Sequence, residues 1–225
     1  MSARASSCLL ALGEIRERHR ALREMAILVS QADALYENFR VLLQQHKKFE
    51  PRQDSALLDF NLQDTLELAK TLVAQDFSSL RNTTLISLCS AVEIFMKTVV
   101  AEKISQDLCT DTGAEFFEYV DQADKSLLNI RGLKPARKYL RFLADCGIQV
   151  DPEMSIQVGV DEAILVRNAV AHNDGIPGKW LLESFPKSFR RGAKIVIPSK
   201  DLNFYEQSLW NFCRDVYTVR YGPLL

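Results

Sequence analysis

The sequence has no apolar run long enough to cross a membrane. None of its uninterrupted hydrophobic stretches approaches the ~20 residues that a helical span requires. Near the N-terminus, the run from Leu9 to Leu12 is soon followed by Glu14 and Arg16, so it is too short for a signal peptide. We therefore expect a cytoplasmic protein that does not bind a membrane.

Cysteine pairs at metal-ligand spacing are also missing. The chain has five cysteines, but they are scattered, and no histidine lies near them at the spacing of a zinc site. We expect reduced, mostly buried thiols, no metal site and no cofactor. These cysteines are Cys8, Cys89, Cys109, Cys146 and Cys213.

A strong net charge is absent as well. The formal charge is −1, so no overall field attracts nucleic acid, and any such binding has to use a local basic patch. Hydrophobic residues make up 47% and charged residues 25% of the 225 residues, which is typical of a globular protein rather than a disordered one.

Glycine and proline do not occur between Glu14 and Glu50. Apolar residues recur there at alternating spacings of three and four, which predicts helix. One helix of this length would measure about 50 Å, so we expect a break near residues 30–33. Two interpretations stay open, a dimerising coiled coil and one or two helices packed on their own domain. The repeating positions include Ile15, Leu22, Met25, Val29, Tyr36 and Leu43.

The pattern of the whole sequence predicts an all-α protein, with an N-terminal helical arm over residues 1–75 and a main helical domain over residues 76–225. A polar linker is expected over 47–55. Residues 193–197 are expected to form a short strand of a β-hairpin before the last helix. The predicted helices cover residues 63–74, 78–104, 116–123, 135–147, 160–172 and 201–219.

Two of these helices have clear apolar faces. On the helix over 78–104 the predicted buried side comprises Leu85, Leu88, Val92, Phe95, Met96 and Val99. On the last helix it comprises Leu202, Tyr205, Leu209, Phe212 and Val216.

The helix that ends at His172 carries an unusual polar set. Asn168 lies one turn before His172, and Arg167 lies about 140° around the helix from the histidine. Imidazole can exchange a proton near neutral pH, and a guanidinium can bind a phosphate at two points. This combination suits metal-independent cleavage of RNA by its own 2′-hydroxyl. The alternative is a histidine that only closes the helix end, beside an arginine in a structural ion pair.

The connection from Gly175 to Ser199 is long and basic, with Glu183 as its one acidic residue. Such long loops are frequently functional, and this one could guide an RNA strand by its charge. The candidate RNA-binding residues are Lys179, Arg190, Arg191 and Lys194.

The stretch from Arg167 to Gly175 resembles the signature of the HEPN superfamily, in which an arginine and a polar residue precede a histidine. Residues 90–97, Ser-Ala-Val-Glu-Ile-Phe-Met-Lys, are similar to an earlier core helix of that superfamily. The resemblance covers about residues 78–221. It implies an up-and-down helical bundle that forms a homodimer, and an endoribonuclease of toxin–antitoxin or phage-defence type.

The resemblance also implies roles for individual residues. Arg167 and His172 would be catalytic and Asn168 would assist them, with Glu93 and Asn173 in supporting positions. The expected partners are RNA, a second copy of the chain, and an antitoxin or other defence-system protein. Two other readings remain: a catalytically inactive HEPN-type module that binds a protein, RNA or nucleotide, and a helical adaptor that acts through its N-terminal arm.

Overall fold

The computed structural model describes residues 3–45, 67–108 and 113–223, and every regular element in these ranges is an α-helix. The prediction of an all-α helical bundle is confirmed. The first two helices are α1 (Ala3–Gln45) and α2 (67–74), and the others are α3 (Ser78–Asp107), α4 (Gly113–Asn129), α5 (Pro135–Asp145), α6 (Met154–His172), α7 (Lys179–Ser184) and α8 (Ser199–Tyr221).

Helix α1 is continuous over 43 residues, which corresponds to about 65 Å. The predicted break near residues 30–33 is therefore wrong, because no glycine or proline interrupts the backbone ladder there. The predicted linker over 47–55 and the start of the helix at 63 lie outside the described residues, as do the side chains of Val29, Tyr36 and Leu43.

The chain divides into two compact units, and α1 contributes to both. One unit comprises Met1–Arg16 with Asn82–Leu225, and the other comprises Glu17–Arg81. This division differs from the predicted boundary at residue 75, because the first turns of α1 belong to the larger unit.

In the larger unit, the start of α1 packs into the core through Ala5, Leu9 and Leu12. The Ser6 and Tyr217 hydroxyls, on α1 and α8, lie 2.8 Å apart in a hydrogen bond. Both predicted apolar faces are confirmed, because all six positions on α3 and all five on α8 are buried. Helical spacing alone was sufficient for these faces.

Helix α6 is the central helix of this unit and packs against α5, α7 and α8. Val160, Ala163 and Val166 are completely buried. Helices α6 and α8 approach closely at Gly159, where an added Cβ would lie only 2.0 Å from the Ser208 hydroxyl oxygen. This packing fixes the position of the C-terminal turn of α6, which carries the predicted motif.

In the smaller unit, a tight turn at residues 75–77 joins α2 to α3. Asp76 and Phe77 have φ angles of 47° and 56°, which are uncommon for residues with a Cβ. Phe77 is buried, and the guanidinium of Arg23 lies 5.8 Å from its ring centroid. Arg81, which is 1% exposed, forms an ion pair of 3.1 Å with Asp76.

The predicted strand over 193–197 is wrong, since these residues form no regular element. A strand needs a neighbouring strand to satisfy its backbone groups. The amides of this segment instead donate to carbonyls of the connection itself, from Ala193 to Arg190 at 3.3 Å and from Ile195 to Gly175 at 2.9 Å. The connection instead contains the short helix α7.

Helix α3 is also long and apolar enough to span a membrane by length and composition, with a mean hydropathy of 1.6 over its most apolar window. However, 61% of that window is buried inside the protein, and the core helices of soluble proteins can be equally long and apolar. This is weak evidence for a membrane span.

Candidate nuclease site at the end of helix α6

Helix α6 ends directly after His172, as the sequence predicts. The Asn173 amide donates to the Ala169 carbonyl at 3.0 Å, and the Gly175 amide donates to the same oxygen at 2.9 Å. Asp174, between them, has a φ of 51°, and Gly175 has a φ of 78°. This left-handed pair lets both amides bond to the Ala169 carbonyl and stops the helix.

Arg167 and Asn168 are joined in the structure. The Arg167 Nη1 donates to the Asn168 Oδ1 at 3.0 Å, and both side chains are half-buried. The Arg167 Nε is buried and has no hydrogen-bond partner among the described residues. A charged donor left in this way carries a desolvation cost that an added anion would relieve.

His172 lies one turn beyond Asn168 and is exposed. No hydrogen bond or ion pair to another described side chain holds its imidazole. The ring is therefore free to meet a substrate, although the structure does not bring it into contact with Arg167 within one chain.

Asn173, a predicted supporting residue, is exposed beside the N-terminal end of α7. Its Nδ2 lies 3.8 Å from the position that a Cβ on Gly178 would take. A larger residue at 178 would therefore touch the asparagine side chain.

One of the predicted RNA-binding cations contacts the motif. Lys194 Nζ lies 3.1 Å from Asp174 Oδ2, next to the backbone hydrogen bond between Ile195 and Gly175. Both members of this pair are exposed, so solvent weakens it and another anion can displace the carboxylate. Sequence analysis missed Asp174 as a partner, because residues 174 and 194 are brought together only by the return of the connection.

The other three predicted cations do not contact the motif. Lys179 lies 3.8 Å from Glu183 within α7 and is exposed. Arg190 and Arg191 are exposed and form no ion pair within the described part of the chain. Their positive charge is accessible to a ligand, but their role in RNA binding stays a prediction.

Glu93 forms an ion pair with Lys97 at 2.8 Å, as the i,i+4 spacing on α3 favours. Lys97 also reaches Asp124 on α4 at 2.5 Å. Among the described side chains, no ion pair joins Glu93 to Arg167. The supporting role predicted for Glu93 therefore does not use an ion pair with Arg167, and the contact of Lys97 with Asp124 was not predicted because it joins two different helices.

The two charges nevertheless act on the same buried groups. Burial raises the pKa of the Cys89 thiol to about 12; the positive charge of Arg167 opposes this and the negative charge of Glu93 adds to it. Burial also raises the pKa of the Tyr139 phenol, which Glu93 again raises and Arg167 lowers. Both groups are therefore uncharged at neutral pH, and Arg167 and Glu93 act on them in opposite directions.

The described cysteines are free thiols, and Cys89 and Cys213 are buried. Cys109 lies outside the described residues. In the ranges that the structure covers, histidine, cysteine, aspartate and glutamate side chains form no group of three that could hold a metal ion.

These features define a class: an all-α protein with a cation, an amide and an exposed imidazole at the end of a central helix. Comparisons with protein-family models, with curated proteins and with solved structures found no match to this chain. The HEPN assignment accordingly stays a prediction that depends on the motif.

Proposed function

We propose that the chain is a metal-independent endoribonuclease. The observation that supports this most directly is the end of α6, where a half-buried Arg167 has an unpaired Nε and the exposed His172 lies one turn beyond Asn168. Cleavage of a phosphodiester without a metal needs at least a group that binds the anionic phosphate and a group that transfers a proton, and the guanidinium and the accessible imidazole can fill these two roles.

The reaction would use the ribose 2′-hydroxyl as the nucleophile. One imidazole accepts the proton of this hydroxyl while its oxygen attacks phosphorus, and the bond from phosphorus to the 5′-oxygen breaks. The departing oxygen takes a proton from an acid. Arg167, aligned by Asn168, stabilises the charge on the pentacoordinate phosphorane. The products are a 2′,3′-cyclic phosphate and a 5′-hydroxyl.

A homodimer supplies what one chain lacks. The reaction needs both a base and an acid, and the motif contains a single histidine. A two-fold axis beside the end of α6 would bring two copies of His172 and Arg167 into one cleft. The exposed cations of the connection, Arg190, Arg191 and Lys194, would then lie on either side of a bound RNA strand and attract it.

The biological setting that we propose is a bacterial toxin–antitoxin or phage-defence system in the cytoplasm. Its other partner would be an antitoxin or another defence-system protein. This setting follows from the resemblance to the HEPN superfamily.

The test is expression of the wild-type chain and of His172→Ala in a bacterial host. We expect the wild type to arrest growth and to fragment RNA, and the variant to do neither. Because His172 is exposed, the variant should keep the wild-type circular dichroism spectrum and melting temperature. Cleavage by purified wild type should survive EDTA, and inhibition that magnesium reverses would reject the metal-independent mechanism.

If both chains are harmless and neither cuts RNA, the ribonuclease proposal fails. In that case the catalytically inactive binding module becomes the better reading of the same motif.

A further inference from the structure

The basic side chains of α5 lie on one side of that helix. They follow its N-cap residue at intervals of three and four positions, which is the spacing that aligns side chains along a helix. The row extends over about 10 Å. Lys138 is half-buried, and the other members are exposed. We call this row the α5 stripe, and it consists of Lys134, Arg137, Lys138 and Arg141.

The opposite side of α5 is fixed in the core of the larger unit. The buried residues of the helix are Ala136, Tyr139, Phe142 and Leu143. Tyr139 packs against Phe212 of α8, with 6.3 Å between the ring centroids. At the start of α5, the Ala136 amide donates to the buried Asp161 Oδ1 on α6 at 2.8 Å. The stripe therefore stands on a rigid element, so that a partner could bind without ordering the backbone.

The positive charge of the stripe is only partly balanced. Between Asp124 and Asp151 the sequence has a single acidic residue, Asp145. Asp145 pairs with Arg141 at 2.8 Å, and both side chains are exposed, so water weakens this pair. The other three cations form no ion pair with any side chain in the ranges that the structure describes.

The start of α5 adds to this imbalance. Its first turn contains no acidic residue, although the positive end of a helix dipole favours acidic side chains and disfavours cations. Lys134 and Arg137 lie there instead. Asp161 offsets part of their charge, but its carboxylate is buried and already bonded to the Ala136 amide. Local arrangements that oppose a folding rule are expected at functional sites, and an anion would relieve this one.

We propose that the α5 stripe binds the phosphate backbone of single-stranded RNA. This inference deepens the proposed function and rests on it for the choice of RNA. Neighbouring cations of the stripe are about 5 Å apart along the helix axis, so they suit a polymer with regularly repeated negative charges. The stripe offers no aromatic or amide side chain that could read a base, and we therefore expect binding that is independent of sequence.

The stripe is an addition to the candidate site and not a part of it. Helix α5 packs against α6, whose last turn carries the candidate site. A strand bound along α5 would thus be held beside the helix that carries His172. This contact should matter for long RNA and not for a dinucleotide, which is too short to reach both places.

The test measures the binding of an RNA analogue that cannot be cut. The probe is a fluorescein-labelled 12-mer of 2′-O-methyl uridine, which lacks the 2′-hydroxyl nucleophile. The double variant Arg137→Gln with Lys138→Gln removes two charges from the stripe. The matched control, Lys125→Gln with Arg214→Gln, removes two charges from exposed positions on α4 and α8. Circular dichroism and melting temperatures check that both variants fold like the wild type.

We expect the stripe variant to bind the 12-mer roughly tenfold more weakly at low salt, and the slope of log Kd against log salt to fall by about 1.4, because two phosphate contacts are lost. The control variant should bind like the wild type. Equal losses in the two variants would show an effect of net charge alone and would overturn the proposal, as would a wild type that does not bind the 12-mer. Competition by polyglutamate as effective as that by unlabelled 12-mer would also overturn it, because the stripe would then fit an acidic protein.

Cleavage assays separate this proposal from the proposed function. The stripe variant should raise the KM for long RNA several-fold and leave kcat, and the cleavage of a dinucleotide, unchanged. If the wild type cuts RNA and the stripe variant matches it in binding and KM, the stripe proposal fails alone. If the wild type binds the 12-mer through the stripe but cuts no RNA, the ribonuclease proposal fails and the binding surface remains.

Discussion

Arg167 and Lys194 both carry a positive charge near the end of α6, but their surroundings favour different roles for them. Arg167 is half-buried and bonded to Asn168, whereas Lys194 is exposed and shares its charge with Asp174. Burial fixes the direction of a guanidinium and strengthens its interaction with an anion, while water screens an exposed ammonium.

We therefore expect unequal losses from these two cations. Arg167→Ala should reduce RNA cleavage by about two to three orders of magnitude, because it removes a donor to the transition state. Lys194→Ala should weaken substrate binding roughly a few-fold and lower the salt dependence of binding by about one ion. Single-turnover rates and binding isotherms at several salt concentrations measure both effects, and equal losses would contradict a localised site.

Asp161 shows how burial sets a pH dependence. Its side chain is buried on α6, and its Oδ1 accepts a hydrogen bond from the Ala136 amide at the start of α5, at 2.8 Å. Burial raises its pKa above the usual 3.8, although this hydrogen bond and the charges of Lys134 and Arg137 oppose the rise. The folded state therefore holds the proton more tightly than the unfolded state.

From this we predict the sign of a stability change. The contribution of Asp161 to the free energy of unfolding is complete below pH 3.8 and is lost as the pH rises through the raised pKa. Asp161→Asn keeps an oxygen acceptor and removes the charge. The substitution should therefore raise the melting temperature more at pH 7 than at pH 3. Denaturation curves across this range test it, with the exposed Asp151→Asn as the control for net charge; a larger gain at pH 3 would contradict the sign.

At the scale of the element, the contact between α6 and α8 depends on one glycine. A Cβ on Gly159 would lie 2.0 Å from the Ser208 Oγ and 2.5 Å from its Cβ. Neither distance can be accommodated without moving a helix or the serine. Gly13 on α1 is the matched case, because a Cβ there would lie 3.6 Å from Trp210, which is ordinary contact.

The same substitution should thus have opposite effects at the two glycines. Gly159→Ala should lower the free energy of unfolding by about 1–3 kcal/mol through overpacking. Gly13→Ala should raise it by up to about 1 kcal/mol, because alanine is the better helix former. Chemical denaturation measures both, and Ser208→Gly should recover part of the loss at Gly159; a harmless Gly159→Ala would show that the helices are less tightly packed.

Sequence patterns predicted the helices whose burial follows from their own periodicity. The faces of α3 and α8 are buried where spacing places them, and the stop after His172 follows from Asp174 and Gly175. The predicted break in α1 was wrong. The prediction depended on the usual length of a globular helix, whereas no glycine or proline interrupts this one. The strand over 193–197 was wrong because a strand depends on a partner that lies elsewhere in the chain.

In the candidate site, too, local features were predictable from the sequence and long-range contacts were not. Arg167, Asn168 and His172 are local to one helix end, so the sequence was sufficient to group them. The pairs of Lys97 with Asp124 and of Lys194 with Asp174 join residues 27 and 20 positions apart. Tertiary packing creates these contacts, and no periodicity within a helix encodes them.

At the scale of the molecule, the exposed apolar positions on α1 keep the coiled-coil interpretation open. Leu22 and Met25, two positions of the predicted apolar stripe, are 52% and 59% exposed. Leu28 is 64% exposed on the same helix. Whether a second chain covers them stays a prediction, and it is separate from the proposed cleft beside His172.

The proposed cleft makes a definite prediction for mixed dimers. Because the one cleft needs His172 from both subunits, one as the base and the other as the acid, a dimer of one wild-type chain and one His172→Ala chain keeps only half of this pair. Such a heterodimer should cut RNA about as slowly as the His172→Ala homodimer, since the remaining imidazole has no partner across the two-fold axis. Two distinct affinity tags allow its purification after co-expression, and the two parent homodimers provide the active and inactive references. A heterodimer with about half of the wild-type rate would show that each His172 works in a site of its own, while a monomer at working concentration would remove the composite site altogether.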